Sequence, residues 1–327
     1  METLADFGAR VRAALSQHGH TIRSAARALS YDHAYLSRVL AGKQQPSTEL
    51  VAALDQLLGA EGGIAELHTV LTEDDRDRIG HSLTYPSRLD AATVTSLAEV
   101  LAAQRRLDDT LGAVPMIGPT QAQAATARDL LRGARGPHRD ALAEVVAEFV
   151  QFEGWLHAEA RRDGRALVLL DEALQLADEA DVAELRAQAR NFRGYVARQR
   201  RDLQGVVRWF GAAYRTPGAH PAQRMGDAAQ TAQGLALMGE HDQARRILDE
   251  ATSLGDAARA NTPPGTAYWL SPAFQHLNLG LARLALGDAR AASDHLAVGL
   301  GNLPADQQRA EWAREYRAAQ AEAAAAA

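Results

Sequence analysis

The chain has no cysteine, which excludes disulfides, thiolate metal sites and a cysteine nucleophile. It has one lysine, Lys43, among 35 basic residues, so its positive charge is almost wholly guanidinium. Aromatics make up 5% of the residues and β-branched residues are few, which withholds the composition that strands are built from. No apolar run approaches the ~20 residues of a membrane-crossing helix, since arginines and acids interrupt each one. The opening METLADFGAR holds acids and lacks the apolar stretch of a secretory leader. These absences give the expectation of a cytoplasmic protein with no membrane partner.

The motifs of catalysis are missing as well. The 11 histidines fall in no HExxH or comparable metal spacing, and there is no GxSxG and no glycine-rich phosphate loop between a strand and a helix. The acids Glu73, Asp74, Asp75 and Asp77 lack the spacing of an oxygen-ligand loop and suit a solvated connector. The expectation is therefore no enzyme, no cofactor and no metal. Net charge is −6, and residues 1–70 carry only Arg10, Arg12, Arg23, Arg27, Arg38 and Lys43 against seven acids. A nonspecific polyanion binder is strongly basic, so any nucleic-acid contact here must come from a local patch.

What is abundant is alanine and leucine in short segments with apolar residues three and four apart, divided by Gly, Pro and Asp/Asn turns. The pattern predicts an all-α protein. Residues 1–70 form a compact block of short helices, 71–90 a polar linker containing Pro86, 91–320 a long helical region, and 321–327 (AEAAAAA) a low-complexity tail.

Within the first block, TIRSAARAL (21–29) places Ile22, Ala25, Ala26 and Leu29 on one helical face. Ser30-Tyr31 makes a turn, Asp32 is a good N-cap, and the helix from His33 to Ala41 buries Leu36, Val39 and Leu40 before Gly42 ends it. Its opposite face carries His33, Ala34, Ser37 and Arg38. A further helix after Pro46-Ser47 closes the core with Leu50, Ala53, Leu54, Leu57 and Leu58. Two short helices, a tight turn and a small polar outer face fit a helix-turn-helix. Over residues 4–66 this segment resembles the lambda-repressor-like (Xre-type) DNA-binding domain. The resemblance implies that His33, Ala34 and Arg38 read base edges while Tyr35, Ser37 and Lys43 lie near phosphates. Ile22 stands where the family usually has a glutamine, and Leu40 where it often has a glutamate.

The long helical region repeats one phrase. Gly154 precedes Ala166, Leu170 and Ala173; Gly194 precedes Val206, Phe210 and Ala213; Ala232 precedes Ala244, Leu248 and Ala251; Gly280 precedes Ala292, Leu296 and Gly299. The first interval is twelve residues in all four, while successive units are 40, 38 and 48 apart, with NTPPG (261–265) in the last gap. The stretch LGLARLALGDARAASDHLAVGLGNLP, ending at Pro304, resembles a tetratricopeptide repeat, whose minimal period is about 34 residues. The resemblance implies a stacked α-solenoid with a concave face. In that register Gln151 and Trp155, Asn191 and Tyr195, Ala229 and Gln233, and Leu277 and Leu281 face the groove, with Arg198 one turn beyond Tyr195. Gln151, Trp155, Asn191, Tyr195, Arg198 and Gln233 would suit a ligand with amides or a carboxylate. The alternative is that Trp155 and Tyr195 are packing residues. Tyr268, Trp269 and Phe274 in TAYWLSPAF suit a groove lip, a dimer contact or a loop anchor, and EWAREY (311–316) a C-terminal cap. Residues 91–145 are expected to hold further helix pairs of unassigned phase.

In its layout the chain resembles actinobacterial Xre-type regulators with a tetratricopeptide sensor domain. That resemblance implies a ligand-responsive transcriptional regulator, a homodimer on a double-stranded DNA operator, with a peptide or small-molecule effector. A tetratricopeptide interaction scaffold with an auxiliary helix-turn-helix is the alternative, and an enzyme without a known motif the third.

Overall fold

A computed structural model describes residues 4–41, 43–44, 46–58, 80–263, 265–305 and 307–326. Among these residues every regular element is helical, and the chain divides into two compact units, Met1–Arg76 and Asp77–Ala327. The acids Glu73, Asp74, Asp75 and Asp77, and Gly42, lie outside the described residues.

The N-terminal unit contains α1 (Leu4–Gln17), α2 (Ile22–Ala28), α3 (His33–Leu40) and α4 (Thr48–Leu58). Its core joins Val11 and Leu15 of α1, Ala25 and Ala26 of α2, Leu36, Val39 and Leu40 of α3, and Leu50, Val51, Leu54 and Leu58 of α4. α3 stops one residue earlier than the sequence suggests, with Ala41 as its C-cap. Gly8 brings α1 against α3, since a Cβ there would collide with the Leu40 carbonyl.

In the second unit, residues 80–84 form a helical turn and Pro86–Arg88 a 3₁₀ turn. Expected as part of a linker, this stretch is instead folded, with Ser82 buried and hydrogen-bonded to Thr93 at 3.2 Å and the Pro86 ring against Gly133. There follow α5 (Ala91–Leu111), α6 (Ala113–Gly133), α7 (Arg139–Glu159), α8 (Asp163–Glu179), α9 (Ala183–Gln199), α10 (Leu203–Tyr214), α11 (Pro221–Leu237), α12 (His241–Ser253), the short α13 (Gly255–Ala260), α14 (Pro272–Ala285), α15 (Ala289–Gly301) and α16 (Ala313–Ala326). They stack as pairs in a solenoid-like array.

The repeated phrase has a geometric cause. A Cβ on Gly154, Gly194 or Gly280 would meet Leu170, Phe210 or Leu296 at 3.0, 2.8 and 2.6 Å. Ala232 and Leu248 share one buried cluster at the equivalent place. Seven residues after each small residue the chain takes a left-handed conformation, at Arg161, Arg201, Gly239 and Gly287. The next amide then bonds back five residues: Arg162 to His157, Asp202 to Ala197, Glu240 to Leu235 and Asp288 to Arg283, at 2.8 to 3.0 Å. This is the Schellman closure of a helix. It sets the angle at which the second helix of each pair leaves the first, and the small residue lets the two cross closely. Residues 91–145, unphased in sequence, supply α5, α6 and the start of α7, joined to α8 by a core that includes Leu101, Ile117, Leu130, Leu142, Phe149 and Leu169.

Candidate functional site

In the N-terminal unit two local devices hold the second helix. Thr21 and Ser24 form a reciprocal capping box that starts α2. Ser30 turns the chain with φ 59°, and Tyr31 N–H donates to the Ala26 carbonyl at 2.9 Å. Asp32 Oδ1 then accepts from Tyr35 N–H at 2.8 Å, which starts α3. With Leu36, Val39 and Leu40 fully buried, the opposite face must meet solvent: His33, Ala34 and Arg38 are exposed and Ser37 half-buried beside them. Residues 6–67 match the family described as a helix-turn-helix domain. The N-terminal unit is a helix-turn-helix domain. No curated protein and no solved structure matches the chain.

Within the helix-turn-helix the six residues expected at DNA do not all stand alike. Arg38 donates from Nε to Gln44 Oε1 at 2.9 Å, which steadies its guanidinium on the outer face. Lys43 is exposed, and its amide closes α3 on the Arg38 carbonyl at 2.9 Å. Tyr35 has a structural duty: half-buried and stacked on Tyr31 at 6.0 Å, its hydroxyl accepts from Ser47 N–H at 3.1 Å, just ahead of α4.

The second unit holds an aromatic-walled cavity. α7 contributes Phe152 and Trp155, α9 Asn191, Phe192, Tyr195 and Arg198, and α11 Gln230. The last turns of α5 add Arg105, Asp108 and Asp109, the loop before α14 adds Tyr268 and Trp269, and Phe274, Trp312 and Tyr316 complete the wall. Nine aromatic side chains meet here, in a chain with only 4 tryptophans, 7 tyrosines and 6 phenylalanines. Trp155 packs between two of them, with ring centroids 5.1 Å from Phe192 and 4.9 Å from Tyr195. The space between the lining side chains is about 80 Å³. A neighbouring cavity of about 480 Å³ shares Tyr195, Arg198 and Trp312 and is edged by Glu159, Glu311 and Glu315.

The electrostatics are dominated by burial of carboxylates. Asp108 Oδ2 accepts from Trp155 Nε1–H at 2.9 Å, while Oδ1 is buried without a hydrogen-bond donor. Burial pushes the Asp108 carboxyl up to about 7, with Asp109 adding to the rise and the Trp155 indole opposing it. Glu159 is pushed up to about 8 by burial and then by Asp108, Asp109 and Glu311. Tyr268 O–H donates to Asp109 Oδ2 at 2.6 Å, and burial followed by that acid raises its phenol. Beneath the wall, Asp227 is fully buried and accepts from Asn191 Nδ2 at 2.6 Å and Gln223 Nε2 at 2.8 Å, yet burial still pushes it up to about 8. Arg198 sits against Glu315 at 3.2 Å and donates to Gln230. Burial is the largest effect and works against its charge, but Glu315 together with Tyr316 and Tyr195 outweighs it and raises its pKa. Among the described residues no group of three or more His, Asp or Glu side chains could hold a metal ion.

Four of the six groove residues read from the repeat register, Trp155, Asn191, Tyr195 and Arg198, line one cavity. The other two do not. Gln151 is buried between helices, donating to the Leu185 carbonyl at 3.2 Å. Gln233 lies outside the cavity wall, because α11 turns Gln230 and not Gln233 toward it. The register also fails at the C-terminal end, where Leu277 and Leu281 are buried in a core shared with α15 and α16. The loop aromatics Tyr268 and Trp269 prove to be cavity wall, as do Trp312 and Tyr316. Sequence reasoning missed Arg105, Asp108 and Asp109 altogether. Their one available signal was three polar residues within a stretch whose neighbours Leu101 and Leu107 are core.

Proposed function

We propose that this chain is a sequence-specific DNA-binding transcriptional regulator of the Xre type. Its second unit is read as a tetratricopeptide-like sensor that takes a small-molecule or peptide effector and joins two chains in a homodimer. The observation that carries this reading is α3, capped by Asp32, anchored by Leu36, Val39 and Leu40, and presenting His33, Ala34 and Arg38 to solvent. A helix held this way can enter a major groove with its polar face toward base edges. One small domain with few base contacts binds weakly, so two half-sites about one helical turn apart are needed for useful affinity. Effector bound in the repeat unit shifts the population of DNA-competent dimers, and operator affinity changes by that coupling. On this reading the chain is cytoplasmic and does no catalysis.

The test is selection of bound sequences from a random DNA pool, followed by footprinting of the recovered fragment at moderate salt. A pseudo-palindromic protected site is the expected result. Failure to enrich any sequence would leave a helical-repeat scaffold in place of a regulator.

A further inference from the structure

The cavity in the second unit has an unmatched acid. Two guanidiniums face it and each has its own carboxylate: Arg198 has Glu315 at 3.2 Å and Arg105 has Glu148 at 3.6 Å. Asp108, on the last turn of α5, is 6% exposed and lines the cavity. Its Oδ2 accepts a hydrogen bond from a neutral indole, and Oδ1 meets no donor. A buried carboxylate with one oxygen unsatisfied is costly until a cation or a strong donor arrives. Trp155, Tyr195 and Trp269 line the same cavity, within one chain of ring contacts through Phe192. Aromatic faces combined with a carboxylate are the chemistry that holds ammonium groups.

We infer that this cavity binds a small organic cation, an ammonium group on an apolar body, with Asp108 as its counter-charge and Trp155, Tyr195 and Trp269 as its aromatic walls. The inference deepens the effector role proposed above and rests on it. A space of about 80 Å³ is about half of the ~150 Å³ cavity that takes a benzene ring. The cavity therefore takes only part of the ligand, and the rest of its body extends into the neighbouring cavity past Tyr195 and Trp312. An anion is disfavoured here: it would face Asp108 and Asp109, while the two lining arginines, Arg198 and Arg105, are already held by Glu315 and Glu148. A neutral ligand gains the ring contacts but leaves the charge of Asp108 uncompensated.

The experiment is calorimetric titration of the full chain at about pH 8 with benzylamine, benzyl alcohol and benzoate, which share a ring and differ in charge. Tryptophan fluorescence gives a second readout, because Trp155, Trp269 and Trp312 line the cavity. Benzylamine is expected to bind about tenfold tighter than benzyl alcohol, with benzoate weaker than both. Asp108→Asn should bring the two tighter ligands within about threefold of each other by removing only the charge preference. Should that variant fail to fold, the charge series on the unaltered protein still decides. Benzyl alcohol or benzoate binding as well as benzylamine, or none of the three binding at about 10 mM, overturns the inference. DNA binding is measured on the same preparation. Cation binding without DNA binding supports the site and removes the regulator; DNA binding without cation binding removes the site and leaves the regulator standing.

Discussion

Gly194 on α9 lies against the buried ring of Phe210 on α10, and a Cβ at that position would stand 2.8 Å from three of its ring atoms. The same contact recurs between Gly154 and Leu170 and between Gly280 and Leu296, so it defines how a helix pair closes. Gly194→Ala should cost about 1–3 kcal/mol, because a ring fixed in a packed core cannot move aside as the end of a flexible chain can. Gly164→Ala is the control: Gly164 is exposed with no atom within 4 Å of its Cβ position, and the change should be neutral or slightly stabilising. Urea denaturation of the two variants checks the pair; equal midpoints would disprove the close-crossing account.

Asp227 gives the second unit a pH dependence of definite sign. Its folded carboxyl is pushed up to about 8, above the unfolded value of about 4. The contribution to stability is whole below about 4 and is lost as pH rises through about 8. Asp227→Asn removes the charge, and Gln223, whose Oε1 has no partner, can reverse its amide to accept from the new side chain. The variant should be about 1–3 kcal/mol more stable than the parent on the alkaline side and show a flatter melting profile across this range. Thermal scans at several pH values measure it.

Trp155→Phe keeps a ring in the cavity wall but removes the hydrogen bond to Asp108 at 2.9 Å. The indole opposes the upward push on the Asp108 carboxyl, so its loss moves that group further up from about 7. Destabilisation of about 1–3 kcal/mol is expected once Asp108 is ionised. The loss should shrink on the acid side of that value, where the carboxyl is neutral in both proteins. Denaturation curves on either side of pH 7 separate the two regimes.

Arg38 and Lys43, both exposed in the helix-turn-helix, should fail differently on DNA. Arg38→Ala is expected to cost about 1–3 kcal/mol and to relax preference at one operator position. Lys43→Ala should weaken all sequences alike and lower the slope of affinity against salt by about one. Fluorescence-anisotropy titrations on matched and mismatched duplexes at several salt concentrations distinguish these outcomes.

The helix-turn-helix was legible because its signals are local. Asp32 caps the helix three residues ahead of its partner Tyr35, and Leu36, Val39 and Leu40 recur at helical spacing. The structural duty of Tyr35 was hidden for the opposite reason: its partner, Ser47, is twelve residues on, beyond the reach of helical periodicity. The repeat turns show the same limit. Gly239 and Gly287 mark two left-handed turns openly, but Arg161 and Arg201 take the same conformation without a glycine to signal it. They hold it because the small residue before and the bulky residue after leave the second helix one place to pack.

The sequence by itself determined the helical class, the capped helix with His33, Ala34 and Arg38 on its outer face, and the four helix pairs, since each depends on spacings within one or two helices. Tertiary structure alone decided the cavity. Trp155 reaches Asp108 across 47 positions, Tyr268 reaches Asp109 across 159, and Trp312 reaches Asp109 across 203. No periodicity connects residues so far apart. They meet because stacking of the helix pairs brings the end of α5, the inner faces of α7 and α9, the loop before α14 and the C-terminal segment to one place, where burial raises the pKa of Asp108.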